Sequence, residues 1–348
     1  PTHRQHIPET CGTCHIGVAA TYSGSIHGRQ LAAGNDDAPV CSDCHTAHAI
    51  THANTPDFML DIVNECGACH NEANGGRSFY QTYRQSYHGQ VTELGYERAA
   101  RCSDCHGAHD ILPVEDPASR VHADNKLTTC RDCHASAGAG FASFQAHADH
   151  TDPEKYPLLF AIWMYFIIVM SGTFTFFGVH TILWFVRSAA QHVRHGRPKH
   201  DHGGGRSIQR FNAVDRINHA FVVITFFGLT LTGMPLFFAD HGWAKVLMWL
   251  FGGVEGAGIL HRLFAIMLFG NFAVHVWSAW QRKRQSGSLW KWLTGPTTLL
   301  PRWQDVKDMA GMIRWFFRGG AKPKFDRWTY WEKFDYWAEL FGTGVIGG

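Results

Sequence analysis

No cysteine occurs after Cys133 and no tryptophan before Trp163, so two residue types divide the 348-residue chain between them. The first 150 residues hold all ten cysteines and 15 of the 24 histidines, but only one methionine, Met59. They are also short of cations: 9 Lys plus Arg against 17 Asp plus Glu give a net charge of −8, leaving +10 for the remainder and +2 overall. An acidic segment of this size argues against a nucleic-acid partner and for a basic or weakly charged one. Neither an initiator Met nor an apolar leader precedes Cys11, which reads as a processed or trimmed N-terminus. Residues 156–186 lack any Asp, Glu, Lys or Arg. The length leaves room for two or three domains, and the composition divides the chain into a first domain, 1–150, and a second, 151–348.

The cysteines obey one rule: Cys11, Cys14, His15; Cys41, Cys44, His45; Cys66, Cys69, His70; Cys102, Cys105, His106; Cys130, Cys133, His134. Five C-x-x-C-H motifs leave no cysteine over. C-x-x-C-H is the c-type haem attachment pattern, with two thioethers to the porphyrin and the adjacent His as the proximal iron ligand. Disulfide or zinc-ribbon readings would also use C-x-x-C pairs, but they give no reason for a His after every one. Haem is attached outside the cytoplasmic membrane, so the domain is expected in the periplasm. With only 25 to 36 residues between successive proximal histidines, the polypeptide cannot build an apolar core around each haem. A loop-rich head of closely stacked haems is the expectation.

A partial internal repeat supports this. C-G-T-C-H, S-I-H-G and C-S-D-C-H-T-A-H-A-I in residues 11–50 recur as C-G-A-C-H, S-Y-H-G and C-S-D-C-H-G-A-H-D-I in residues 66–111. The repeat makes His27 equivalent to His88 and His48 to His109. One methionine against ten non-proximal histidines points to bis-His coordination. The distal candidates are His27, His48, His88, His109 and His147, with His122 or His150 as substitutes. Without a methionine sulfur, which raises haem potential, low potentials are expected.

The second domain reads as membrane-embedded. The uncharged runs 156–186, 217–239 and 263–281 each reach about the 20 residues that cross a bilayer, the third beginning near residue 258. A further span begins near 334–348, and the visible sequence reads as incomplete beyond it. Arg187, Arg194, Arg197, Lys199, Arg206 and Arg210 face only Asp201 in the first loop, and Arg282, Lys283 and Arg284 follow the third run. These loops are expected in the cytoplasm, which leaves the head in the periplasm. The fold class is therefore mainly α, a loop-rich multihaem head plus a transmembrane bundle of the four-helix type.

Histidines inside spans are functional candidates. His261 and His275 stand 14 residues apart, on one helix face about 21 Å apart along the axis, the spacing expected of a helix that ligates two b-type haems, one near each membrane surface. His219 and His180 lie at the cytoplasmic level. A satisfied interfacial histidine is the alternative for each. Gly228 and Gly233 leave room for a porphyrin or for close helix packing. Asp240, His241 and Glu255 are candidates for a quinone site or are ordinary loop residues. His192, His195, His200 and His202, with Gly203, Gly204 and Gly205, are a metal site or a solvated loop.

R-F-N-A-V-D-R-I-N-H-A-F in residues 210–221, L-T-L-T-G-M-P-L from Leu229 and I-L-H-R-L from Ile259 resemble the di-haem cytochrome b subunits of formate dehydrogenases, thiosulfate reductases and nickel-iron hydrogenases. The resemblance implies His219 and His261 as haem ligands and makes W-T-Y-W-E-K-F-D-Y-W-A, residues 328–338, the entry to a third core helix. His275 stands outside that pattern. The S-x-H-G and C-S-D-C-H-x-A-H elements of the head are similar to NapC-like multihaem cytochromes. The fused arrangement looks like a cytochrome b/c quinol dehydrogenase of the bacterial inner membrane.

The functional expectation is electron transfer between menaquinol or ubiquinol and a periplasmic or outer cytochrome or catalytic redox subunit, through five haem c and one or two haem b, in either direction. One alternative is an electron-transfer and anchoring subunit of a larger respiratory or photosynthetic complex. Another is a pentahaem reductase of nitrite, hydroxylamine or sulfur oxyanions. Against the last, the pentahaem nitrite reductases use a C-x-x-C-K motif that is missing here.

Overall fold

The computed structural model describes residues 3–71, 79–196, 211–285, 287–295 and 297–347. It is mainly helical and, among the described residues, has no strand. The helices are α1 (Ile7–Gly12), α2 (Ile16–Gly24), α3 (Ile26–Ala32), α4 (Cys41–His45), α5 (Pro56–Cys69), α6 (Phe79–Gln85), α7 (Tyr87–Glu93), α8 (Cys102–His106), α9 (Lys126–Arg131) and α10 (Ala139–Ala142). They continue as α11 (Pro157–His195), α12 (Ala213–Phe237), α13 (Gly242–Leu250), α14 (Gly253–Gln285), α15 (Leu289–Thr294), α16 (Trp303–Arg318) and α17 (Tyr330–Gly347). Two compact units emerge: Pro1–Leu159 with Phe227–Phe264, and Phe160–Phe226 with Ala265–Gly348.

Within the first unit the repeat is a structural duplication. Ser25 caps α3 by accepting the Gly28 N–H at 3.1 Å, and Ser86 caps α7 through Gly89 at 3.2 Å. Each serine hydroxyl also donates to the carbonyl of a tyrosine three residues back, Tyr22 or Tyr83, at 2.6 Å. A β-carbon at Gly28 or Gly89 would stand 2.1 Å from that same carbonyl oxygen. S-x-H-G is therefore a capped kink whose glycine admits a backbone oxygen. The histidine between serine and glycine is aimed by it. Correspondence continues through Tyr22 Oη donating to Pro39 O and Tyr83 Oη to Ala100 O, and through Gly34 and Gly95, both at φ +86°.

The C-S-D-C-H helices share a second device. Asp43 accepts the Val40 N–H at 2.7 Å and Asp104 accepts the Arg101 N–H at 2.8 Å, closing the first turn of α4 and α8. Arg4 holds Asp43 from the other side.

Apolar burial in the head is slight. Leu31, Ala38 and Val40 form one small cluster with Ile7 and Tyr22. Meanwhile Ile16 and Ile50 are 71% and 70% exposed. Val63, Tyr83, Val91, Ala99 and Ala137 are the other buried apolar residues among the described residues of the head.

Three helices are long and apolar enough to cross a membrane: Pro157–Arg194, Ala213–Phe237 and Gly253–Gln285. The first and third run well beyond the uncharged stretches, because charged residues extend a helix past an apolar layer without breaking it. α17 carries Glu332, Lys333, Asp335 and Glu339 and is not among the three. In the second unit, Asp215 takes Arg282 at 2.8 Å. Lys333 and Asp305 form a buried pair at 2.8 Å, their side chains 5% and 12% exposed.

Three substitutions test these constraints. Gly89→Ala is expected to destabilise the head by about 1–3 kcal/mol, seen as a lower urea midpoint. Gly24→Ala, which meets open space, is expected to be neutral or stabilising; equal losses at both sites would show that carbonyl approach is not the constraint. Lys333→Ala strands a buried carboxylate and is expected to cost about 3–5 kcal/mol.

Candidate haem-ligand histidines

Four pairs of imidazoles face each other in the first unit. Ring centroids are 6.3 Å apart for His27 and His70, 6.0 Å for His45 and His109, 6.1 Å for His88 and His134, and 6.3 Å for His106 and His147. Each pair joins one motif histidine to one distal candidate. A metal–imidazole bond is about 2.0–2.1 Å, and a ring centre lies ~1.1 Å behind its nitrogen, so two axial imidazoles on one metal put their centroids ~6.2 Å apart. The four separations fit that value.

None of the ten cysteines is in a disulfide. Among the described residues no group of three or more His, Cys, Asp or Glu converges on a point, as a protein-built metal site requires. Two facing imidazoles suit a metal that arrives with four equatorial ligands of its own. Beside His45 lies a groove of about 310 Å³, lined by Cys44, Phe58 and Ile62 on its apolar side and by Asp57, Asp61 and Glu65 on its acidic side. The residues present therefore fit haem.

The neutral imidazole is the form that ligates. Burial lowers His27, His45, His88, His106 and His147 from the ordinary histidine value, with a smaller push from a nearby imidazole, which for His106 is His70. Burial likewise pushes the Cys44 thiol up to about 11. The buried Thr82 hydroxyl donates to Phe79 O at 3.1 Å and sits 3.0 Å from His147 Nδ1. With its hydrogen committed, Thr82 accepts the Nδ1–H, which leaves Nε2 bare for a metal.

The remaining head candidates are elsewhere. His15 and His48 are exposed, and neither ring packs on another imidazole among the described residues. His122 is half-buried beside Asp124, and His150 is half-buried.

In the first unit, His261 on α14 repeats the threonine device. Thr232 Oγ1 donates to Gly228 O at 2.7 Å and lies 2.8 Å from His261 Nδ1. Gly233 makes room for this ring, its β-carbon position being 3.2 Å from His261 Cε1, and Gly228 makes room for Phe264. The two glycines thus serve side-chain packing. Asp240, His241 and Glu255 are engaged within the same unit: His241 on Asp240 at 2.6 Å, Arg84 on Asp240 at 3.9 Å, and Tyr96 on Glu255 at 2.9 Å. Lys245 reaches Glu93 at 3.1 Å. These contacts between the head and the 240–255 segment were not foreseen; matching charges on both segments were the available signal.

In the second unit, His180 Nε2 meets Tyr330 Oη at 2.6 Å inside a ring of Phe176, Phe316 and Trp331. His275 Nε2 meets Tyr336 Oη at 3.0 Å. Both partners sit on α17. His219 is exposed on α12, and His192 is exposed near the end of α11. The side chain of His195, and His200 and His202 with Gly203, Gly204 and Gly205, lie outside the described residues. No protein-family model, curated protein or solved structure matches this chain.

Proposed function

We propose that this chain conducts electrons between the quinol/quinone pool of a bacterial inner membrane and a periplasmic redox partner, through b-type haem in its membrane helices and five c-type haems on its head. The observation that carries the reading is that five C-x-x-C-H motifs consume every cysteine while four of their histidines face a second imidazole at 6.0–6.3 Å. Haem in these positions supplies an iron couple that passes single electrons, and so can take the pair released by a quinol one at a time.

The chain's own residues supply the holding and the tuning. The ten cysteines fix the c-type groups covalently; His15, His45, His70, His106 and His134 are the proximal ligands. His70, His45, His134 and His106 take His27, His109, His88 and His147 as distal ligands in that order, all nitrogen donors, which favours low potential. Thr82 and Thr232 hold the tautomer of His147 and His261. For the b-type group, His261 has its Nε2 available. His180 and His275 share theirs with tyrosine hydroxyls, so they serve better as hydrogen-bonding groups than as ligands. His219 is the other ligand that the family resemblance implies. Basic loops on the cytoplasmic side set the orientation.

The exposure of His15 favours a second reading, in which the first haem keeps an open position and reduces a small nitrogen or sulfur oxyanion. Carbon monoxide added to the reduced protein separates the two. No rapid spectral change supports the conduit, with His48, His122 or His150 closing the site, whereas rapid binding at one haem supports the reductase.

Intact mass should exceed the 39.1 kDa polypeptide by five covalent haems, and a pyridine haemochrome should show additional b-type absorbance. A colourless protein, or one without the adducts, ends the proposal. His147→Ala should leave the mass increment unchanged while converting one of the low-spin c-haems to a high-spin form in the electron spin resonance spectrum. Thr232→Val should weaken retention of the b-type group about 10–100-fold, with the covalent haems unaffected.

A further inference from the structure

α16 has two faces of opposite character. On the inner face Met312, Trp315 and Phe316 are buried against Leu183, Phe325, Tyr330 and Trp331, and the helix's two acids, Asp305 and Asp308, are buried there too. On the outer face Trp303, Val306, Ala310, Ile313 and Phe317 alternate spacings of three and four, which places them on one stripe. Trp303 and Phe317 are each 71% exposed, Ile313 48% and Val306 43%. Lys307, Arg314 and Arg318 border the stripe on one side, exposed and without an ion pair among the described residues.

The position of the helix is set by α11. Leu183 packs on the buried face, and a β-carbon at Gly319, just past the end of α16, would lie 2.5 Å from Arg187 Nη2. Arg187 is the first charged residue after the uncharged run 156–186. α16 therefore sits where α11 leaves an apolar layer. With five charged residues in 16, it cannot itself cross one.

We infer that α16 is an in-plane membrane-surface helix: its apolar stripe enters the boundary between headgroups and acyl chains, and Lys307, Arg314 and Arg318 bind the phosphates of anionic lipid. Charge complementarity selects this occupant, because the border of the stripe is of one sign and unpaired, as an anionic surface requires and an ordinary partner helix does not. At the level where Leu183 and Arg187 meet α16, α11 itself exposes Ile182, Phe185 and Val186, at 63%, 67% and 58%. The inference rests on the membrane reading of the second unit but not on haem, quinol or the direction of electron flow.

The test uses the full chain with p-benzoylphenylalanine at Ile313 or, separately, at Ile168 within α11, irradiated in native membranes and in nanodiscs of phosphatidylcholine and phosphatidylglycerol. Lipid adducts at both positions are expected. A lipid adduct at Ile168 with a polypeptide adduct or none at Ile313 overturns this inference alone; no lipid adduct at either overturns the membrane reading with it. In parallel, the Lys307→Glu, Arg314→Glu, Arg318→Glu triple variant should retain several-fold less phosphatidylglycerol on native mass measurement, with phosphatidylcholine unchanged. Undiminished phosphatidylglycerol would refute the lipid contact, and if the triple variant does not assemble, the crosslink at Ile313 decides.

Discussion

The head is organised around four pairs of imidazoles whose ring centres are held about six ångströms apart. Most of its local structure serves that end. Ser25 and Ser86 cap the helices that carry His27 and His88, and Gly28 and Gly89 let a carbonyl oxygen approach so that those helices can turn where they do. Asp43 and Asp104 close the short helices that present His45 and His106. Little apolar side chain is buried in return.

The same economy governs His261. A threonine on α12 stands between a carbonyl of its own helix and Nδ1 of the histidine on α14, and with its hydrogen on the carbonyl it accepts the Nδ1–H. Thr82 does this for His147. A hydroxyl in place of a carboxylate leaves no net charge to compensate in a weakly solvated site. This suits a position between apolar helices.

Much of this was legible because it is local. S-x-H-G, C-S-D-C-H and the uncharged runs each depend on neighbours within a few residues, and internal recurrence singled out His27, His88, His48 and His109 without any structure. The partners were not legible. Nothing in the sequence tells His109 to reach back to His45 rather than serve its adjacent motif, or sets His147 on His106. Those choices are tertiary. His48, equivalent to His109 in sequence, is exposed and finds no such place. For Gly228 and Gly233 both a porphyrin and close packing were open, and the rings of Phe264 and His261 fill the space. Segment 240–255 offered its charged residues as site candidates, whereas they are engaged by Arg84, Tyr96 and each other.

The pairings also interlock. His27 looks forward past the second motif to His70, His109 looks back past the third to His45, and His88 and His147 cross each other's intervals in the same manner. Every link spans more than forty positions, and each interval encloses one end of another. The head is thus threaded like a chain stitch: none of the four paired motif histidines meets its partner in its own neighbourhood, and His106 meets His147. Long-separation closures of this kind are slow to form. Each contact closes a loop of more than forty residues that overlaps the loop of another.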